Sequence, residues 1–166
     1  MVTTQPTYLL DTNILSDMMR SPSGTAALRF EALVQTTPDV LLCTSVVVQC
    51  ELLFGLRRRT HSRWQTHYDR VLESVELLPL NSNIAPVYAN LRSLLESAGT
   101  PIGPNDTFIA AQALALNATL VSADTEFLRV PGLRVENWLE PETSPAAPAA
   151  PAAPAAPAAP AATPQG

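Results

Sequence analysis

The chain contains no lysine; all ten of its basic residues are arginine. That absence removes every lysine-dependent mechanism, including the Walker A phosphate loop, Schiff-base chemistry and receiver-type phosphorylation sites that use a lysine. No GxGxxG follows a strand-like run and no GxSxG is present. Dinucleotide-fold and hydrolase-elbow readings therefore lack their signals. Cysteine is limited to Cys43 and Cys50, with neither CxxC nor zinc spacing. Both read as buried free thiols in a reducing compartment. Residues 1–10 hold no basic stretch, and no apolar run reaches the ~18 residues a membrane span needs. A soluble, cytoplasmic protein without a membrane segment is expected.

What remains is 46% hydrophobic and 15% charged, with a formal net charge of −5. Those totals hide two populations. From Pro145 onward, PAAPAAPAAPAAPAAPAATPQG runs 22 residues without a charged side chain. The preceding 144 residues carry every charge, a length suited to one domain. Such a domain buries about two-thirds of its unfolded surface, enough for a self-supporting core. One folded unit is expected over residues 1–140, followed by a low-complexity tail without a fold over 141–166. Proline recurs every third residue from Pro145 to Pro160. Polyproline II has three residues per turn, so the prolines form one edge of an extended rod. The tail reads as a semi-rigid solvated spacer, with a PxxP-type recognition strand as the rival reading.

Along the body, short apolar runs alternate with helical periodicity. Strands are expected at Tyr8–Asp11, Val40–Cys43, Val75–Leu80 and Thr119–Val121, with a candidate edge strand at Arg134–Asn137. Thr12 and Asn13 are expected to cap a helix through Met19, and Thr44 and Ser45 a helix from Val46 to Leu56. Further helices are expected over Ala26–Val34, Ser62–Leu72, Ile84–Ala98 (stopped by Gly99) and Asp106–Leu116. Strands separated by helices predict an α/β architecture with a parallel sheet covered on both faces. In such sheets ligands bind beyond the carboxyl ends of the strands.

The position of the fifteen acids decides which of them matter. Asp11 is the only charge in residues 1–16 and directly follows an apolar strand. Glu51 is the only charge in residues 40–56. Asp106 heads the apolar stripe Ile109, Ala110 and Ala113, and no charge separates it from Asp124. A buried, unpaired carboxylate costs several kcal/mol or protonates. Taken singly, each acid could be satisfied by an arginine or a helix cap, with Asp106 favoured by a helix dipole and Asp124 forming a turn. Taken together, Asp11 and Asp124 end strands, Asp106 starts a helix and Glu51 follows the second strand. Four acids meeting at one sheet edge cannot all ionise without a cation. Carboxylate oxygens without histidine or cysteine select a hard divalent ion, Mg²⁺ or Mn²⁺. Such sites perform phosphoryl chemistry.

The sequences LLDTNILSDMMR, CTSVVVQ with Glu51, IGPNDTFIAAQAL, ATLVSADTEF and VPGLRVENW resemble PIN-domain ribonucleases. More narrowly, they resemble the VapC/FitB-like toxins of bacterial type II toxin–antitoxin pairs. The resemblance runs from Tyr8 to Trp138. It implies a PIN-like α/β/α sandwich around a central, mostly parallel sheet. It implies Asp11, Glu51, Asp106 and Asp124 as metal-site and catalytic acids, supported by Asn13 and Ser122. Asp17 matches a common acidic position, which structural ion pairing would also explain. Phe127 and Trp138 read as core. The implied reaction is metal-dependent hydrolysis of RNA phosphodiester bonds. The implied partners are a cognate antitoxin, the RNA substrate and a second copy of the chain in a homodimer. No histidine is needed, and His61 and His67 are expected to be exposed.

An acidic chain is an unusual RNA binder, since phosphate contacts dominate affinity. Arg57, Arg58, Arg59, Arg63 and Arg70 nevertheless gather half of the basic residues. They form either a solvated helix face or a patch contacting RNA or antitoxin. Two rivals to the nuclease reading stand: a catalytically silent PIN-like binding module, and a carboxylate–metal enzyme acting on DNA or small phosphates.

Overall fold

The structure is a computed structural model that describes residues 5–58 and 63–140. The tail, Arg59, His61 and Ser62 lie outside the described residues. The element order is β1 (Thr7–Leu10), α1 (Thr12–Arg20), α2 (Thr25–Thr36), β2 (Leu41–Ser45), α3 (Val46–Arg57) and α4 (Arg63–Glu73). It continues through β3 (Glu76–Leu78), α5 (Ile84–Ser97), α6 (Pro104–Ala115), β4 (Thr119–Val121), a 3-10 turn (Thr125–Arg129) and β5 (Arg134–Glu136). The five strands are all parallel, in the order β3-β2-β1-β4-β5.

That order reverses direction beside β1. The connections from β1 to β2 and from β2 to β3 step one way, and the one from β3 to β4 returns past β1. Right-handed crossovers then place α1–α4 on one face and α5–α6 on the other. α1 accordingly packs on α2, α3 and α4, and α5 packs on α6. The expected α/β/α sandwich is the one found. The carboxyl ends of β1 and β4 meet at the reversal, where open α/β sheets hold their ligands. The ladder is tight there: Asp11 N donates to Val121 O at 3.0 Å and Ser122 N to Glu136 O at 2.9 Å.

The core lies on both sides of β1 and β4. Leu9, Leu10, Ile14, Leu15, Ile109, Leu120, Val121 and Phe127 are fully buried, and Trp138 nearly so. Strands buried on both faces read as continuous apolar runs, as Tyr8–Leu10 and Thr119–Val121 do. α5 is closed just past its end by Gly99, whose φ of +70° supplies the left-handed residue without a Cβ penalty.

Several expectations need correction. The cap of α1 is Asp11, whose side chain accepts from Thr12 N, while Thr12 and Asn13 lie inside the helix. A carboxylate ending a strand reaches the orphan amides first, one position earlier than the hydroxyl. Ser45 caps α3 as expected, accepting from Val47 N. α6 begins at Pro104, two residues before Asp106, because proline at the first helical position loses no bond. Cys43 is buried and Cys50 is exposed. Burial, with Glu76 adding to it, pushes the Cys43 thiol up to about 12. His67 is half-buried, its ring 5.9 Å from that of Trp64.

Candidate metal centre

Asp11 is 95% removed from solvent at the carboxyl end of β1, with a relative exposure of 5%. Both of its oxygens accept hydrogen bonds. Oδ1 accepts from Thr12 N at 2.7 Å. Oδ2 accepts from Ser122 Oγ at 2.7 Å and from Asn13 Nδ2 at 2.8 Å. Asn13 extends this network across the sheet reversal. Its Nδ2 also donates to Ser122 Oγ at 3.0 Å, and its Oδ1 accepts from Ala123 N at 3.0 Å. Ser122 is buried and accepts from Asp124 N at 3.0 Å. Asn13 and Ser122 thus join the end of β1 to the end of β4. Asp124 caps the 3-10 turn, accepting from Glu126 N at 2.8 Å.

Glu51 reaches the same place from α3. Its Oε2 accepts from the Thr12 hydroxyl, and its Oε1 from Asn105 Nδ2 at 2.8 Å. A donor from α1 and another from α6 therefore fix both carboxylate oxygens. Asp106 enters from the first turn of α6. It sits against the backbone of Gly103, where a Cβ would lie 2.7 Å from Asp106 Oδ2. Glycine there leaves the carboxylate its place. Gly103→Ala should displace Asp106 and weaken the divalent-ion binding expected of these acids by about tenfold to a hundredfold, the range for lost support of a ligand. The thermal midpoint should stay close to wild type. A divalent-ion titration of both proteins checks it; unchanged affinity would refute it.

The electrostatics tie the four acids together. Burial pushes Asp106 up to about 6, helped by the charges of Asp11, Asp124, Glu51 and Glu126. Those effects outweigh the helix dipole, which favours an acid in a first turn by only ~0.3–1 kcal/mol. Burial also raises Asp11, while the Ser122 and Thr12 donors pull it down and Glu51 and Asp124 push it up. A neighbouring cation would relieve both groups.

All four acids named from the sequence therefore come to one edge. Among the described residues, however, no three His, Cys, Asp or Glu side chains are grouped closely enough to form a cage around one ion. The donor set still fits a hard cation of the Mg²⁺ type. Mg²⁺ keeps several waters and is held by one or two carboxylates together with substrate phosphates, rather than by an all-protein cage. Asp17 stands apart, 3.7 Å from Arg20 in an i,i+3 ion pair. Phe127 and Trp138 are core, as expected.

Sequence reasoning missed Asn105, Gly103 and the second role of Thr12. Thr12 was legible only as a cap, and its partner lies 39 residues away. Asn105 precedes Asp106 directly, and that adjacency was the available signal. The arginines divide: Arg57 and Arg58 are exposed at the end of α3, and Arg63 and Arg70 are exposed on α4. The Arg58 guanidinium lies 5.8 Å from the Phe54 ring, and that of Arg63 5.8 Å from the Trp64 ring. No described helix is long and apolar enough to cross a membrane.

Comparison with known proteins agrees with this geometry. Residues 8–133 match the PIN domain. Ribonuclease VapC2 of Rickettsia felis is 33% identical over 133 residues, covering 79% of this chain and 97% of that protein. The crystal structure of VapBC2 from Rickettsia felis bound to a promoter DNA fragment aligns with a TM-score of 0.74 at 32% identity, covering 80% of this chain and 98% of that one. VapBC-5 from Mycobacterium tuberculosis, a member of the VapBC family of toxin–antitoxin systems, aligns at 0.57 and 28% identity, covering 78% and 95%. The acids at the sheet reversal, the parallel topology and these matches agree: the chain belongs to the PIN-domain family, among the VapC ribonucleases.

Proposed function

We propose that this chain is the toxin of a toxin–antitoxin pair, an endoribonuclease that hydrolyses RNA phosphodiester bonds with Mg²⁺ or Mn²⁺. The observation that carries this reading is the convergence of Asp11, Glu51, Asp106 and Asp124 from four elements, with Asp106 raised to about 6 by burial and by its acidic neighbours. In this reading the four carboxylates surround the ion's place, one or two of them binding it directly, and Asn13 and Ser122 hold Asp11. The folded unit comprises residues 1–140, with 141–166 as an appended tail. When bound, the ion supplies an activated water and neutralises charge on the phosphate.

The chain's own residues do the rest. Three donors on its two oxygens hold the Asp11 carboxylate in one orientation. Thr12 and Asn105 hold the Glu51 carboxylate in one orientation. Asp106 is half-exposed at the start of α6 and raised to about 6 by burial and its acidic neighbours, so it is the carboxylate with most to gain from a bound cation. The partner is a cognate antitoxin, as expected for a relative of VapBC pairs, and the active form is a homodimer.

The test is cleavage of RNA by purified, antitoxin-free protein with Mg²⁺, with Mn²⁺ or with EDTA. Single-stranded DNA and small phosphate esters serve as competitors. RNA should be cut only with a divalent ion, and addition of antitoxin should stop cutting. No cutting with any ion would leave a binding module instead, and equal cutting by wild type and the Asp11→Ala variant would overturn this assignment of the site.

A further inference from the structure

We propose that the apolar groove along α2 is the docking site of this chain's own proline–alanine tail, with Pro145, Pro148 and Pro151 laid in it as one edge of a polyproline II segment. The inference does not depend on the nuclease reading, since none of the four acids lines the groove. The groove has a volume of about 500 Å³. One wall is a single stripe of α2, with Thr25, Leu28, Ala32, Leu33 and Thr36 at helical spacing. At ~1.5 Å per residue that stripe runs for about 16 Å. Polyproline II advances ~3.1 Å per residue, so the six steps from Pro145 to Pro151 cover about 19 Å, close to the length of the stripe. Trp138 forms the floor, with its ring 5.7 Å from that of Tyr8. Those two rings face each other, and the open surface is the one on α2. Leu28 is 57% exposed there, and Ala32 is exposed beside it. An apolar concavity of this kind marks a contact surface.

The polar complement fits the same occupant. Polyproline II makes no internal hydrogen bonds, so its carbonyls call for donors. Tyr8 is half-buried in the groove, and its hydroxyl has no hydrogen-bond partner among the described residues. Burial and the charge of Glu136 hold the phenolic proton in place, which keeps the group a donor. The groove carries one arginine, Arg29, and one acid, Glu136. That balance offers little to a nucleic-acid backbone and suits a segment without charge, as the tail is from Pro145 onward. The last charge before the repeats, Glu142, is opposite in sign to Arg29. Reach favours the tail over any free partner. Trp138 lines the groove, and the tail begins just past Glu140. Arg29 fixes that exit, donating from Nη1 to Asn137 O at 3.1 Å. The seven residues from Trp138 to Pro145 span up to ~22 Å, more than the groove's length, so Pro145 reaches either end. So short a tether sets an effective concentration in the millimolar range, at which weak contacts suffice.

The test is ¹⁵N relaxation of the full chain labelled at alanine. Ala146 follows Ser144 and Pro145, and Ala162 precedes Thr163, so both signals are distinct from those of the repeats. Ala146 should show an order parameter above ~0.6, the limit of flexible backbone, and Ala162 one below it. Leu28→Glu should bring Ala146 down to the Ala162 value and leave the amides of the folded body in place. Tyr8→Phe should lower the ratio of docked to free tail by about twofold to tenfold, the worth of one hydrogen bond. That ratio is read from the Ala146 shift between its wild-type and Leu28→Glu positions. Pro148→Gly combined with Pro151→Gly leaves the folded body untouched and should also release Ala146, because glycine loses the preset extended backbone. An Ala146 as free as Ala162 in the wild type would overturn the proposal and leave the groove to another protein. Order that survives Leu28→Glu or the paired glycine substitutions would overturn it as well. Order seen only at high protein concentration would place the tail on a second copy and overturn docking within one chain.

Discussion

Replacing Asp106 with Asn should lower metal-dependent RNA cleavage by at least a hundredfold and, in EDTA at pH 7.5, raise the melting temperature. The first effect follows from its proposed place as a metal ligand. Loss of mere support for a ligand already costs ~10–100-fold, and loss of the ligand itself exceeds that. The second follows from linkage. The Asp106 carboxyl is raised from 3.8 to about 6 in the folded protein. A raised carboxyl stabilises the fold below its unfolded value, and that contribution is lost as pH rises through the folded one. At pH 7.5 the ionised group is therefore a burden that asparagine removes. The full shift would correspond to about 3 kcal/mol, but Asp106 is half-exposed and solvent screening reduces the effect to about 1 kcal/mol. For a domain of this size that is a gain of ~3 °C. At pH 3.5 wild type and variant should melt together. Saturating Mg²⁺ should stabilise wild type, by ~2.7 kcal/mol at a hundred times its dissociation constant, and the variant much less. Scanning fluorimetry at the two pH values, with EDTA and with Mg²⁺, reads every arm. A variant that melts below wild type at pH 7.5 in EDTA would show that Asp106 is not held at a cost.

That result would also show why the site was readable and its support was not. Asp11 and Glu51 stood out as isolated charges in apolar stretches, and Asp106 and Asp124 as the two ends of a long uncharged one. Burial makes such acids rare, so their presence demands a reason. The parallel sheet was legible for the same kind of cause: strands buried on both faces cannot alternate. The residues that hold the acids carry no such mark. Thr12 and Asn105 are ordinary polar residues until α1 and α6 bring them against Glu51. Gly103 matters only because Asp106 occupies the space its Cβ would need. These are contacts between elements distant in sequence, and periodicity within one element does not report them. The α1 cap shows the same limit locally. Three consecutive residues, Asp11, Thr12 and Asn13, are all good caps, and only the backbone geometry after β1 selects the first.

Asp11→Ala should shift stability in the opposite direction to Asp106→Asn, although both should lower cleavage. Burial raises Asp11 too, so its ionised form carries a penalty at neutral pH. Alanine removes that penalty but leaves three donors facing the vacated space: Thr12 N, Ser122 Oγ and Asn13 Nδ2. Each buried donor without a partner costs ~1–3 kcal/mol, and the bond lost at Thr12 N is the α1 cap itself. The net expectation is a loss of about 2 kcal/mol, or ~6 °C. Asp11→Asn does not rescue it. Asparagine there must present an amide to donors at one of its two positions. Ser122 cannot turn to accept, because its oxygen already accepts from Asn13 Nδ2 and Asp124 N, and Asn13 cannot exchange its ends, because its Oδ1 is committed to Ala123 N at 3.0 Å. Asp11→Asn should therefore melt between wild type and Asp11→Ala. Urea unfolding of wild type and the three variants, in EDTA at one neutral pH, gives the order directly. The expected ranking is Asp106→Asn, wild type, Asp11→Asn, Asp11→Ala. If Asp11→Ala were as stable as wild type, the Asp11–Asn13–Ser122 network would not join the ends of β1 and β4, and Asp11 would serve the ion alone.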